Sequence, residues 1–194
     1  STWFDGDQFQ ADFFYERSFS SLYADDDAFG VQLGFPNEPF STRFQFKEVG
    51  ADFAPALGFV NRPGIRYYDG NFLHRGRPKD SWIRWFEVGT WYNFATDLDD
   101  RLESRENGAW FGGQTQDTDL AFVNLFHDYE NVPVGFFLPR NVLIPAGEYE
   151  WTAVSLDVET SIGRPISGNF SIRCCDWYGG TMFRTSAYVN WRPD

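Results

Sequence analysis

"WTAVSLDVET", residues 151–160, sets Thr152, Val154, Leu156 and Val158 against Trp151, Ala153, Ser155, Asp157 and Glu159. Successive side chains of a strand point to opposite faces, so this spacing is that of a β-strand with one apolar and one polar side. The same period of two recurs elsewhere. In "TRFQFKEV" (42–49), Phe44, Phe46 and Glu48 alternate with Arg43, Gln45, Lys47 and Val49. Residues 6–19 set Phe9, Ala11, Phe13 and Tyr15 against Gln8, Gln10, Asp12, Phe14 and Glu16. Residues 181–191 set Phe183, Thr185, Ala187, Val189 and Trp191 against Arg184, Ser186, Tyr188 and Asn190.

Less regular strands are predicted near 28–35, 65–74, 81–95, 102–111, 118–129 and 167–175, about ten strands in all. Turn formers separate them: "FPNEP", "GRPKD", "TDLDD", "FGGQTQD", "IPAGE", "SIGRP" and "DWYGG". No amphipathic helix is evident. The expected fold is all-β, an antiparallel up-and-down meander, either an outer-membrane β-barrel or a fragment of one. The alternative is a soluble β-sandwich, which uses the same alternation but packs its apolar face on a second sheet.

Composition narrows the function classes. The 194 residues form one expected domain, 1–194, and 20% of them are aromatic, with 22 Phe, 9 Tyr and 8 Trp. Aromatics at that density suit pleated strands, sugar platforms and the interfacial girdles of membrane barrels. A formal net charge of -12 argues against nucleic acid, whose phosphates require Lys and Arg. The two cysteines, Cys174 and Cys175, are adjacent, so they are read as two thiols on opposite faces of a strand. No run approaches the ~20 apolar residues of a membrane helix, and the first residues have no signal-peptide pattern.

Strand length points towards a membrane. The stretch 81–97 accommodates a strand of about 14 residues, against a usual mode of ~5–6. Long alternating strands joined by short turns describe a spanning barrel, with the apolar face on lipid and the polar face on the lumen. Trp82, Trp91, Trp177 and Trp191, near predicted strand ends or turns, are then candidate interface aromatics. Arg43, Lys47, Asp157, Glu159 and Arg184 are candidate lumen-facing polar residues.

The stretch 50–64 joins two strands through an unusually apolar connection, "GADFAPALGFVNRPG". Its Asp52-Phe53-Ala54-Pro55-Ala56-Leu57-Gly58-Phe59-Val60 run, followed by Arg62-Pro63-Gly64, resembles a motif of large bacterial surface proteins. In those proteins a family-9-type carbohydrate-binding module precedes an outer-membrane barrel domain of unknown function. "ADDDAFGVQLGFPNEPFSTRFQFKEV" (24–49) resembles the strand–turn–strand before that motif. "DLDDRLESRE" (97–106) and "IPAGEYEWTAVSLDVETS" (144–161) resemble hairpins after it. The likeness covers about residues 25–193. It implies a non-catalytic barrel segment in the bacterial outer membrane with a transport, anchoring or surface-display role. Two departures stand out: the carbohydrate-binding module is absent, and the sequence ends at "NWRPD". Further strands of the barrel, or another chain, are therefore expected partners besides outer-membrane lipid. The connection 50–64 is expected to fold an apolar knot against the barrel wall or into its mouth.

Catalytic signals are weak. Asp157 and Glu159 share a strand face, at a spacing compatible with a glycosidase pair, but any same-face acidic pair meets it. The Asp25–Asp27 and Asp97–Asp100 turns are rich in calcium-type oxygens, without the spaced loop pattern of a calcium site. His74 and His127 are the only histidines, and no GxSxG elbow accompanies them. Asp128, adjacent to His127, faces the other way and is poorly placed to orient it. No cofactor and no metal site are expected. A secreted or periplasmic lectin-like sandwich that binds glycans through exposed Trp and Tyr is the second function class, and an aromatic-cleft glycoside hydrolase the third.

Overall fold

The alternation read above becomes thirteen strands in a computed structural model, which describes residues 8–19, 24–55 and 62–192, and the backbone of 2–5. In chain order they are β1 (Thr2–Asp5), β2 (Phe9–Ser18), β3 (Asp26–Phe35), β4 (Phe40–Val49), β5 (Ile65–Gly76), β6 (Ile83–Asp97) and β7 (Leu102–Thr115). Then come β8 (Leu120–Val132), β9 (Phe136–Leu138), β10 (Val142–Ile144), β11 (Gly147–Glu159), β12 (Ile166–Trp177) and β13 (Gly180–Trp191). Eleven strands form one sheet in the order β1-β2-β3-β4-β5-β6-β7-β8-β11-β12-β13. The fold is thus all-β, an antiparallel meander. No ladder joins β13 to β1 among the described residues, so the sheet is not closed. Among the described residues the strands form this one large sheet and the short pair of β9 and β10, not two large sheets.

Ten of the strands are 10 to 15 residues long, with β6 the longest at 15. The small strands β1, β9 and β10 were not legible, because three or four residues are too few for a period to repeat. By packing, the chain divides into two compact units. The first holds Ser1–Phe72 and Trp91–Glu106, the second Leu73–Thr90 and Asn107–Asp194, so β5, β6 and β7 contribute residues to both.

In the first unit, register places Phe13 beside Val31 and Val31 beside Phe46, with Ala11, Leu33 and Phe44 in the next row. Phe13, Leu33 and Phe44 of this face are exposed. The opposite face carries Gln32 beside Gln45, Gly34 beside Arg43, and Gly30 beside Lys47. Gly30 also pairs with Phe14, and a Cβ there would come within 2.4 Å of the Phe14 ring, so glycine makes room for that aromatic on the polar side.

The connection after β4 folds onto this polar side. Phe53, 6% exposed, packs with Ala28, Val49 and Ile65, and Phe14 closes the cluster. Asp26 organises the turn: its carboxylate accepts from the Asp27 and Asp52 amides, at 2.8 Å each. A Cβ at Gly50 would lie 2.1 Å from that carboxylate, so only glycine fits beside it. The expected apolar knot is therefore present at Phe53. Ala56, Leu57, Phe59 and Val60 lie outside the described residues.

In the second unit, register aligns Leu125, Val154, Cys174 and Phe183 across β8, β11, β12 and β13. The next row is Val123, Leu156, Ile172 and Thr185. The intervening rows hold Asn124, Ser155, Arg173 and Arg184, and Phe122, Asp157, Ser171 and Ser186. One correction concerns the cysteines. Cys174 and Cys175 are joined to each other as a disulfide, not separate thiols. Cys175 has φ 107°, which breaks the regular alternation that would hold the two sulfurs on opposite faces.

Candidate functional site

On β8 and β11 of the second unit the apolar rows are the exposed ones. Along β11, Trp151, Ala153 and Ser155 are buried, whereas Val154 and Leu156 are exposed. Along β8, Asp128 is buried, and Val123 and Leu125 are exposed. The polar rows are the sheltered ones, and that inversion makes them the candidate site.

The second unit contains a polar cleft of about 320 Å³ on those rows, and Asp157 lines it. The Asp157 carboxylate accepts from Ser171 Oγ at 2.6 Å, Ser155 Oγ at 3.0 Å and Asn124 Nδ2 at 3.2 Å. Three donors satisfy most of what an ionised carboxylate accepts, so this residue is a structural anchor of the cleft. Beside it the Arg173 guanidinium reaches Asp128 at 3.3 Å and lies 4.0 Å from the centre of the Phe126 ring. A guanidinium paired with a carboxylate and stacked on a ring in this way is held in one geometry. Arg184, directly opposite Arg173 in the ladder, also lines the cleft. Towards β6, Arg75 grips Glu87 at 2.7 Å and covers the Trp85 ring at 4.7 Å, and Trp110 Nε1 donates to Glu87 at 3.0 Å.

The first unit repeats the theme. Arg43 Nη2 pairs with Asp69 at 2.6 Å, Lys47 lies over the Tyr67 ring, and Asn93 Nδ2 donates to Tyr67 Oη at 2.8 Å. Of the residues singled out in the sequence, Arg43 and Lys47 lie on the polar rows of this unit. Asp157 and Arg184 line one cleft of the other, where Arg173, Ser155, Ser171 and Asn124 join them. Glu159 shares the face of Asp157 by alternation but stands at the end of β11, exposed.

The exposed apolar rows end in polar rims. In the first unit, Arg17 and the Tyr15 hydroxyl meet Asp27, and Arg66 holds Glu48 and Asp100. In the second, His127 contacts Glu150 at 3.1 Å and Thr152 at 3.2 Å. The cross-strand Glu150 contacts this histidine, and only the register reveals it. Asp97 caps its own turn by accepting from the Asp99 and Arg101 amides, so that acidic cluster serves the hairpin.

The tryptophans separate. Trp82 is an exposed turn residue, Trp177 ends β12, and Trp191 ends β13 with its ring exposed. Trp91 departs from the expectation. It lies in the interior of β6, half-buried, because that strand runs on to Asp97 and leaves no strand end near it. An aromatic cluster missed by the sequence reading gathers on Tyr178, whose ring lies 4.8 Å from Trp151, 5.3 Å from Tyr149 and 5.6 Å from Phe136. The Tyr178 hydroxyl donates to Glu130, and burial together with that carboxylate pushes its pKa well above the usual tyrosine range. Tyr178 and Gly179 both have positive φ, 47° and 73°, as a two-residue hairpin of the primed type requires. At the opposite strand ends, Asp119 accepts from the Ser161 amide at 2.9 Å and from Arg164 at 2.6 Å. Those donors, the amide first, hold its carboxyl below the ordinary value of 3.8.

No family model, curated protein or solved structure matches the chain.

Proposed function

We propose that this chain is a membrane-spanning, non-catalytic segment of a bacterial outer-membrane β-barrel, serving transport, anchoring or surface display. The observation that carries the reading is the inverted burial of β8 and β11: Val154, Leu156, Val123 and Leu125 are exposed while Ser155 and Asp128 are sheltered. In water such a face costs roughly 25 cal/mol for every Å² of apolar surface it leaves wet, and lipid removes that cost.

Dimensions support the same reading. From Phe183 to Trp191 the apolar row of β13 spans eight steps of the strand, roughly 26 Å at about 3.3 Å per residue. A barrel's apolar band is about 25 Å tall. Polar rims at Arg66–Glu48 and His127–Glu150 fit the headgroup level. A meander reverses at each turn, so its connections fall into two alternating sets. One set, 36–39, 77–82, 116–119 and 160–165, is uniformly short, whereas the other contains the two long connections 50–64 and 133–146. Short turns on one side and longer loops on the other are a barrel habit. With both sheet edges unpaired in the described residues, completion needs further strands, from the same protein or another chain.

Refolding the purified chain from urea into phosphatidylcholine vesicles tests this. Strand-type circular dichroism with protease protection of β11 in vesicles is the expected result. Full protease sensitivity of β11 in vesicles would overturn the reading.

A further inference from the structure

We propose that the polar cleft of the second unit is a binding site for an oxyanion, a phosphate, sulfate or carboxylate group, held chiefly by Arg184. Arg173 and Arg184 are directly opposed in the β12–β13 ladder, and both line the cleft. Like charges in directly opposed positions repel, so such a pairing is unfavourable unless something negative lies between them. The two arginines are not equivalent. Arg173 has Asp128 and the Phe126 ring, whereas Arg184 has no carboxylate and no hydrogen-bond partner among the described residues. Arg173 also keeps a buried Nε without a hydrogen-bond partner among those residues. Arg184 thus presents to the cleft guanidinium donors not used up by the protein.

Its remaining walls suit an oxyanion. Ser186, in the row next to the two arginines, contributes a hydroxyl, while its ladder partner Ser171 already donates to Asp157. The single carboxylate lining the cleft, Asp157, is already engaged by Asn124, Ser155 and Ser171. A planar guanidinium presents two N–H groups in parallel, and the oxygens of a carboxylate or phosphate match that spacing. The cleft volume of about 320 Å³ admits the oxyanion together with a small organic body that bears it. The inference deepens the barrel reading, in which the polar face is the one a solute would meet.

Isothermal titration of the full chain with sodium phosphate, sodium sulfate and sodium acetate, each against sodium chloride at equal ionic strength, tests the site. It is done in nonionic detergent, or in plain buffer if the chain is monomeric there, so that failure of the barrel reading leaves the anion test intact. Saturable binding of at least one oxyanion, weakened tenfold or more by Arg184→Gln and by less in Arg184→Lys, is expected. Arg43→Gln, in the other unit, should leave it unchanged. The ranking of the three probes tells a dianion preference from a carboxylate preference. The proposal is overturned if no probe binds above chloride, or if Arg184→Gln binds as well as the parent with an unchanged circular dichroism spectrum.

Discussion

Val154 and Ser155 are consecutive residues of β11 that face opposite ways, and the valine is 38% exposed where the serine is 6% exposed. Their ladder partners obey the same division: Val154 stands beside Leu125 and Cys174, Ser155 beside Asn124 and Arg173. On the proposed barrel reading, the exposed apolar face of such a sheet lies against lipid.

A charge placed on the exposed rows should therefore be penalised by depth. Leu156→Arg should lower folding stability in lipid vesicles by about 2–4 kcal/mol, whereas Thr152→Arg, beside His127 on the rim, should cost at most about 1 kcal/mol. Urea titration of vesicle-embedded protein measures both. Equal, small losses at the two positions would mean that the face is wetted by water.

Most of this architecture was legible in the sequence because alternation is a local property. Ten long strands and both faces of β2, β4, β11 and β13 follow from period two. Neighbour identity is not local. Nothing in "NLFHDYEN" indicates that Glu150 will lie against His127, or that Arg173 and Arg184 will be opposed, because register emerges only when strands pair. Trp91 was misplaced for a related reason, since the end of β6 is set by a turn capped by Asp97. Tyr178 could have been suspected from "WYGG", a hairpin tip in which an aromatic precedes glycine, but its target Glu130 could not.

Removing the anchor of the cleft should strand its donors. Asp157→Ala leaves Ser155, Ser171 and Asn124 without their shared acceptor and should cost about 1–3 kcal/mol in the same vesicle assay. Asp157→Asn, which keeps an acceptor oxygen, should recover part of it. A neutral Asp157→Ala variant would show that water replaces the carboxylate without loss.

The Phe53 cluster ties the long connection to the sheet. Phe53→Ala removes a buried ring from among Ala28, Val49 and Ile65 and should cost about 3–5 kcal/mol, with proteolysis of the 50–64 connection increasing first. Limited chymotrypsin digestion, cutting after Leu57 or Phe59, reads that change. Unaltered digestion kinetics would place the loop's attachment elsewhere.

Two groups set the pH behaviour of the strand ends. Asp119 is depressed in the folded state, so its contribution is present above the ordinary value of 3.8 and disappears as pH falls through the lower folded value. The Ser161 amide resonance should follow that titration, with a midpoint below 3.8, and should lose it in Asp119→Asn. Tyr178 is raised, so its contribution is present below the ordinary value of 10.0 and is lost as pH rises through the folded one. Tyr178→Phe should cost about 1–2 kcal/mol at neutral pH and should remove that alkaline loss, which thermal unfolding between pH 8 and 11 would detect.

Size-exclusion chromatography of the purified chain, with and without nonionic detergent, tests the membrane assignment most directly. A monodisperse peak in detergent and aggregation without it is the predicted result. A sharp monomer peak in plain buffer would contradict the assignment, since rows bearing Val123, Leu125, Val154 and Leu156 would then be stable in water.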